Sequence, residues 1–241
     1  HRALRSIRRA QVVLLVIDAT VPLSQVDKQL GNELLKHYKP CVLVVNKWDL
    51  AREKSTEEAY IDYLNKEFKG LLYCPVAFLS AREGQGMREL VQTAVTLHEQ
   101  ASTRMTTSKL NDTLKRVIAE RPPHSGIGRK PKIFYVTQLE ASPPTLLMFV
   151  NDPTMFTPSY QRYLLNRLRE CTPFAEVPIR LIIRGRTRNA KGMKQTPGYE
   201  AQAQQVQAAL QAGAEDDTLG LEIGDADEAF DLDELETDEQ E

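Results

Sequence analysis

The first hundred residues alternate between short apolar runs and amphipathic patterns, and this alternation restricts the fold more than any other feature. The apolar runs cover 11–17, 41–45 and 74–80, and β-branched residues are frequent in the first two. Short continuous runs of this kind are typical of strands buried on both faces of a parallel sheet. Strands that alternate with helices predict a doubly wound α/β sheet for residues 1–100.

The helices between these strands are predicted from their capping residues and apolar spacing. Ser24 is placed to cap a helix that reaches about Tyr38. Ser55 and Glu58 form an S-x-x-E capping box for a second helix that ends at Gly70. A third helix is predicted after Gly86, where apolar residues recur at helical spacing: Met87, Leu90, Val91, Ala94 and Val95.

A second unit follows a polar stretch, 101–107, which is predicted to be a linker. A stripe of apolar residues at helical spacing opens this unit and stops at a pair of prolines. Two strands, a helix and a last strand follow at 132–139, 145–150, 158–170 and 177–184. The order helix, strand, strand, helix, strand predicts a small α/β domain over 108–188. The remainder, 189–241, is basic and then acidic, and is expected to be mostly disordered.

The charge of the chain is strongly segregated, although the net value is only −2. Residues 1–214 hold 31 basic and 19 acidic residues, whereas the tail from Glu215 onward holds 14 acidic residues and no lysine or arginine. Within the body, residues 1–100 carry +2 and residues 101–214 carry +10. A basic excess confined to one domain indicates a polyanionic partner, most often a nucleic acid.

Composition excludes several other classes of protein. The three cysteines are far apart and form no C-x-x-C pair, which argues against a zinc site or a disulfide framework and favours a cytoplasmic location. The four histidines are scattered and suggest no metal site. No apolar run is long enough to span a membrane. Because the chain begins with His1 rather than Met, its start is interpreted as a truncation.

The sharpest chemical signal is the sequence Asn46-Lys47-Trp48-Asp49, directly after the strand at 41–45. Ligands of open α/β sheets bind outside the carboxyl ends of strands. There a carboxylate can accept two parallel hydrogen bonds from the N1–H and N2–H₂ groups of guanine, a donor pair that adenine lacks. Lys47 can lay its apolar stem on the purine face, and the Asn46 amide can hold the loop and contact the base. The pattern therefore predicts a guanine site read by Asp49, while Trp48 is interpreted as a packing residue and Asp18 as a residue that closes the turn after its own strand.

A second loop, Ser80-Ala81-Arg82, ends the next predicted strand. The backbone N–H of Ala81 is placed to meet the guanine O6 atom, and a small side chain lets the backbone approach the ring. Because carboxyl ends of parallel strands meet at one edge of a sheet, both loops are expected to serve one nucleotide.

These two boxes resemble the last two nucleotide motifs of the Ras-like GTPase family. The second unit resembles the KH-like domain of the Der (EngA) family of tandem-domain GTPases. That likeness rests on KIFYVTQ at 132–138, Pro143-Pro144, MFVNDP at 148–153, SYQRYLLNRLR at 159–169 and PIRLIIR at 178–184. The resemblance covers about residues 1–188. It implies a partial P-loop GTPase domain followed by a KH-like domain, GTP and GDP as ligands, and a bacterial role in assembly of the large ribosomal subunit with its rRNA.

The chain also departs from these families. It has no G-x-x-x-x-G-K-[ST] loop, and no D-x-x-G motif ahead of Asn46. Phosphate cradling and Mg²⁺ binding depend on those parts. The resemblance implies that they lie upstream, together with another GTPase domain of the same protein, and that this chain contains no catalytic residue and is inactive alone.

The KH-like unit departs from its family in one feature that concerns RNA. It has no G-x-x-G grip, because the basic glycine-rich stretch 125–130 has the wrong spacing. RNA contact is instead predicted at a group of cations without intervening acids: Arg184, Arg186, Arg188, Lys191 and Lys194. Two alternatives remain open, a non-catalytic RNA-binding protein with a vestigial GTPase fragment and an Era-like GTPase, although the latter would keep the G-x-x-G grip.

Overall fold

The structure is a computed structural model that describes residues 2–123 and 130–185, together with positions 204 and 208, which are helical. Its contacts divide the chain into two compact units. Residues 1–103 with 173–178 form unit 1, and residues 104–172 with the described residues from 179 onward form unit 2. No helix in the described ranges is long and apolar enough to cross a membrane.

Unit 1 contains three strands and five helices within the described residues. In chain order these are α1 (Arg2–Arg9), β1 (Val13–Asp18), α2 (Gln25–Lys36), β2 (Cys41–Asn46), α3 (Trp48–Ala51), α4 (Glu57–Glu67), β3 (Val76–Phe78) and α5 (Met87–Ser102). The strands form a parallel sheet in the order β1-β2-β3. This confirms the predicted α/β class with a parallel sheet.

The central strand β2 is covered on both faces, as its continuous apolar run predicts. Leu43 and Val45 belong to the core formed with α1, α2 and α4. Val42 and Val44 point to the opposite face and are also fully buried, and α5 packs against this strand. Because helices cover both faces of this strand, a ligand is expected at the carboxyl ends of the strands, where open α/β sheets bind their ligands.

Strands β1 and β3 differ from the prediction that all three strands are buried on both faces. The three residues of β3 are only partly buried. Leu15 and Ile17 are buried, but Leu14 and Val16 are 42% and 56% exposed. The reason is tertiary, because β1 lies at the edge of the described sheet while α5 contacts β2. The apolar stripe predicted on α5 is likewise only partly covered, since Leu90 is buried while Met87, Val91 and Val95 are exposed.

The caps of unit 1 confirm one prediction and correct another. Ser24 caps α2 as expected, with a reciprocal capping box to Asp27. Helix α4 is capped by Thr56, whose hydroxyl accepts from the Ala59 N–H at 3.2 Å, and not by the predicted Ser55. The backbone N–H of Ser55 instead donates to Ala51, so Ser55 completes the turn that follows α3.

Unit 2 has the predicted order of elements. They are α6 (Thr107–Glu120), β4 (Ile133–Glu140), β5 (Thr145–Val150), a 3₁₀ turn at Pro153–Met155, α7 (Pro158–Cys171) and β6 (Arg180–Gly185). Strands β4 and β5 are antiparallel, and β5 and β6 are parallel. Of the stretch predicted as a linker, 101–107, only 103–106 lies outside helices.

Helices α6 and α7 are joined by the hydroxyl groups of two tyrosines. Tyr160 donates to the Arg121 carbonyl at 2.8 Å, and Tyr163 donates to the Val117 carbonyl at 3.0 Å. These bonds satisfy carbonyl groups that the end of α6 leaves without a helical partner. The apolar stripe of α6 lies beneath them and is buried, as predicted: Leu110, Leu114, Val117 and Ile118.

Candidate guanine-binding site

The two loops predicted to read guanine lie side by side at the carboxyl edge of the parallel sheet. The Asn46 side-chain oxygen accepts a hydrogen bond from the Ala81 N–H at 3.0 Å. The Trp48 N–H donates to the Leu79 carbonyl at 3.1 Å, which joins the same two loops through their backbones. The structure therefore brings Asn46 and Ala81 together although they are 35 positions apart in the sequence. In this arrangement the Ala81 N–H reaches a guanine oxygen only by sharing or exchanging its bond to Asn46.

Lys47 and Asp49 lie on either side of Trp48 at the start of α3. Lys47 has a left-handed backbone with φ of 62°, which is uncommon for a residue with a side chain. Such a conformation turns the chain sharply out of β2, so that Asp49 falls in the first turn of α3, where it is partly buried. The loop thus places Lys47 and Asp49 beside the sheet edge rather than continuing the strand.

Asp18 forms an ion pair with Lys47, a contact beyond the turn-closing role that the sequence predicts for this aspartate. The Lys47 ammonium lies 2.5 Å from Asp18 Oδ2. The other oxygen, Oδ1, accepts from the Thr20 N–H at 2.9 Å and from the Thr20 hydroxyl at 2.6 Å. Hydrogen bonds from Lys47 first, and then from Thr20, lower the pKa of Asp18 from 3.8 to about 2, so the carboxylate is charged at neutral pH.

Trp48 packs into an aromatic cluster, as predicted for a residue that supports the loop. Its ring centroid lies 4.6 Å from that of Phe78 and 5.6 Å from that of Tyr60. Phe78 belongs to β3, and Tyr60 belongs to α4. The cluster fixes α3 against two other elements, and Trp48, as the only tryptophan in the chain, provides a specific optical probe of this loop.

Ser80 supports the second loop from within. It is buried, its N–H donates to the Gln85 carbonyl at 3.2 Å, and its hydroxyl accepts from the Glu83 N–H at 3.4 Å. Gly86 closes this loop with φ of 74°, and a Cβ there would lie 2.6 Å from the Phe78 carbonyl oxygen. Both the backbone conformation and the space around it therefore require glycine at position 86.

Replacing Gly86 with alanine is expected to lower the free energy of unfolding by about 2–3 kcal/mol, because it adds a backbone clash to a left-handed φ. Gly84 is a matched control, since it has φ of 73° and a Cβ added there would meet no atom within 4 Å. Gly84→Ala should therefore cost only about 1 kcal/mol. Urea unfolding followed by Trp48 fluorescence measures both, and equal losses would contradict a steric requirement at Gly86.

The predicted RNA-contacting cations fall mainly outside the described residues. Arg186, Arg188, Lys191 and Lys194 lie there, as do most of the glycine-rich stretch 125–130 and the acidic tail. Arg184 lies within β6, opposite Phe149 of β5, and is partly buried. It is therefore part of the sheet and not of the segment that follows it.

The residues at the sheet edge do not fit a magnesium site. Over the described ranges, no group of three or more His, Cys, Asp or Glu side chains is arranged to hold a metal ion. Both oxygens of the neighbouring Asp18 carboxylate are already occupied, one by Lys47 and the other by Thr20. The arrangement suits recognition of a purine base and supplies no set of oxygen ligands for Mg²⁺.

Comparison with protein families matches the chain in two consecutive parts. Residues 2–100 match a family described as the elongation factor Tu GTP binding domain. Residues 104–184 match a family described as KH-domain-like of EngA bacterial GTPase enzymes, C-terminal. Together with the parallel sheet and its two loops, these matches define part of a P-loop-type GTP-binding domain followed by a KH-like domain.

The chain belongs to the GTPase Der (EngA) family. It is 42% identical over 189 residues to GTPase Der of Rhodopirellula baltica, which covers 78% of this chain and 42% of that protein. GTPase Der of Moorella thermoacetica is 39% identical over 189 residues, which covers 78% of this chain and 43% of that protein. GTPase Der of Geobacter metallireducens is 36% identical over 187 residues, which covers 77% of this chain and 43% of that protein. The chain thus spans less than half the length of these relatives.

Proposed function

We propose that this chain supplies guanine recognition to a Der-type GTPase. Asp49 reads the N1–H and N2–H₂ edge of the base, Lys47 covers one face of the ring, and Asn46, Ser80 and Ala81 shape the loops. The observation that carries the proposal is the hydrogen bond from the Ala81 N–H to Asn46, which joins both loops at one sheet edge. The test is a panel of GTP, ITP and ATP with the protein from the complete reading frame. Binding should weaken in that order, because inosine lacks the 2-amino donor and adenine also lacks N1–H.

Phosphate and Mg²⁺ binding, and hydrolysis itself, are assigned to residues outside this sequence, which has no G-x-x-x-x-G-K-[ST] loop. The exposed apolar side chains Leu14 and Val16 on β1 support this assignment, because they lie on the same sheet face as the buried Val42 and Val44, and an uncovered apolar face is typical of a surface that another segment covers. The intact protein would then hydrolyse GTP in the cytoplasm, in step with assembly of the large ribosomal subunit.

The second unit is proposed to contact rRNA. Its family match and the net charge of +10 over residues 101–214 support this role. The contacts are assigned to Arg184 and to the four cations that follow it, Arg186, Arg188, Lys191 and Lys194. RNA binding without nucleotide hydrolysis is the second candidate function, and it rests on the same charge.

Deleting residues 213–241 is expected to tighten RNA binding about three- to tenfold at low salt, because the tail carries −14 and competes with RNA phosphates for the cations of unit 2. The gain should fade at high salt as screening shortens the reach of the charges. A filter-binding titration with an rRNA fragment measures both. In a control protein, the same acidic residues are attached by a linker too short to reach 184–194; if it binds RNA as weakly as the wild type, direct masking by the tail is wrong.

A further inference from the structure

The Lys47 side chain bridges two neighbouring strands at the edge where the base loops meet. Asn46, the residue before Lys47, is the register partner of Asp18 on the parallel strand β1. From the end of β2 the lysine stem reaches across to β1, where its ammonium group meets Asp18 Oδ2 at 2.5 Å. The direction of the stem is therefore set by a residue outside both guanine-reading loops.

Asp18 is itself held in place from the opposite side. Its Oδ1 accepts from both the N–H and the hydroxyl of Thr20 at 2.9 and 2.6 Å, which leaves Oδ2 directed to Lys47. A carboxylate fixed by two hydrogen bonds holds the lysine better than a carboxylate whose side chain can still change rotamer, because less side-chain entropy is lost when the ion pair forms.

The Lys47 side chain is anchored by Asp18 but is not buried. Half of the Lys47 side chain, 50%, remains exposed although its ammonium group is paired. A lysine is among the side chains with the largest rotamer entropy, so ordering it only when a ligand binds would weaken the binding of that ligand. Here the ammonium group is held by Asp18 while half of the side chain stays accessible, which suits contact with a flat aromatic ligand.

We propose that Asp18 is a positioning residue for guanine recognition, whose carboxylate orders the Lys47 stem along the base site before the nucleotide binds. This inference rests on the proposed function of the two loops. The competing role is purely local, in which Asp18 closes the turn through Thr20 and its contact with Lys47 has no consequence for nucleotide binding.

The main experiment measures GDP dissociation from the protein of the complete reading frame. Asp18→Asn should raise the rate about three- to tenfold, since the charge-assisted bond to Lys47 is lost. Glu53→Gln is the matched charge control, because Glu53 is exposed just after α3 and should leave the rate unchanged. On a Lys47→Met background, Asp18→Asn should add nothing. Two results would show that Asp18 does not act through Lys47. One is that Asp18→Asn raises the dissociation rate as much on the Lys47→Met background as in the wild type, and the other is that it leaves the wild-type rate unchanged.

Thr20→Val separates positioning from closure of the turn, because it removes the hydroxyl bond to Asp18 and leaves the carboxylate. The positioning role predicts a smaller effect than that of Asp18→Asn. A purely local role predicts that Asp18→Asn, which keeps an acceptor oxygen for Thr20, has no larger effect than Thr20→Val. Unchanged Trp48 fluorescence in each variant would show that the loop itself remains folded.

A second measurement on residues 1–241 does not depend on nucleotide binding. In a ¹⁵N correlation spectrum of lysine ammonium groups, the Lys47 signal should be visible through its ion pair and should be lost in Asp18→Asn. A signal that persists in the variant overturns the proposal. If the Lys47 signal depends on Asp18 but Asp49→Asn leaves nucleotide choice unchanged, the ordering is real and the proposed guanine site is wrong.

Discussion

Asp49→Asn is expected to convert a protein that prefers GTP into one that prefers XTP. The substitution exchanges a carboxylate, which accepts both hydrogen bonds of the guanine edge, for an amide with one acceptor and one donor. Xanthine carries a carbonyl at C2 and matches the amide. Loss of a charge-assisted bidentate contact should cost about 2–4 kcal/mol in GTP binding. The measurement is a pair of GTP and XTP titrations on the protein from the complete reading frame.

Asp62→Asn provides the matched control for that experiment. Asp62 lies in α4 and is exposed, so the same change of side chain removes the same charge outside the two loops. It should leave both affinities as they are. If Asp49→Asn, like the control, leaves the GTP affinity unchanged, then Asp49 does not read the base. The proposed guanine site would then be wrong, because Asp49 is its central residue.

Residues 1–241 by themselves are expected to bind GTP with a dissociation constant weaker than about 1 mM. Most of the recognition of a nucleoside triphosphate in this class of fold comes from a phosphate-cradling loop and Mg²⁺. The sequence contains no such loop, and the described residues include no group of three or more His, Cys, Asp or Glu side chains arranged to hold a metal ion. Equilibrium dialysis with labelled GTP measures the constant, and no GTP hydrolysis should be detected with the same protein.

Guanosine serves as the internal comparison in that experiment. If only the base is read, guanosine and GTP should bind the isolated chain equally weakly, because neither gains a contact from its phosphates. Micromolar binding of GTP, or a clear preference for GTP over guanosine, would mean that the chain contains a phosphate site that its sequence does not reveal.

Most of the helices and strands, and the edge of the sheet on which the candidate site lies, were predictable from the sequence. Buried apolar runs and capping residues such as Ser24 act over a few positions, so they can be read without knowledge of the fold. The parallel order of β2 and β3 then follows from the helix between them. Once both strands are parallel, Asn46 and Ala81 must lie at the same edge, so this part of the site follows from the sequence.

The contacts between side chains of the site could not be predicted in this way, because they depend on how the strands pack. The pairing of Lys47 with Asp18, like that of Asn46 with Ala81, depends on the register of neighbouring parallel strands, and an apolar run leaves that register open. The same limit explains β1, because an apolar run looks identical whether one face or both are covered, and its position at the edge left Val16 exposed. Contacts between residues distant in sequence are set by packing, and packing is a property of the whole fold.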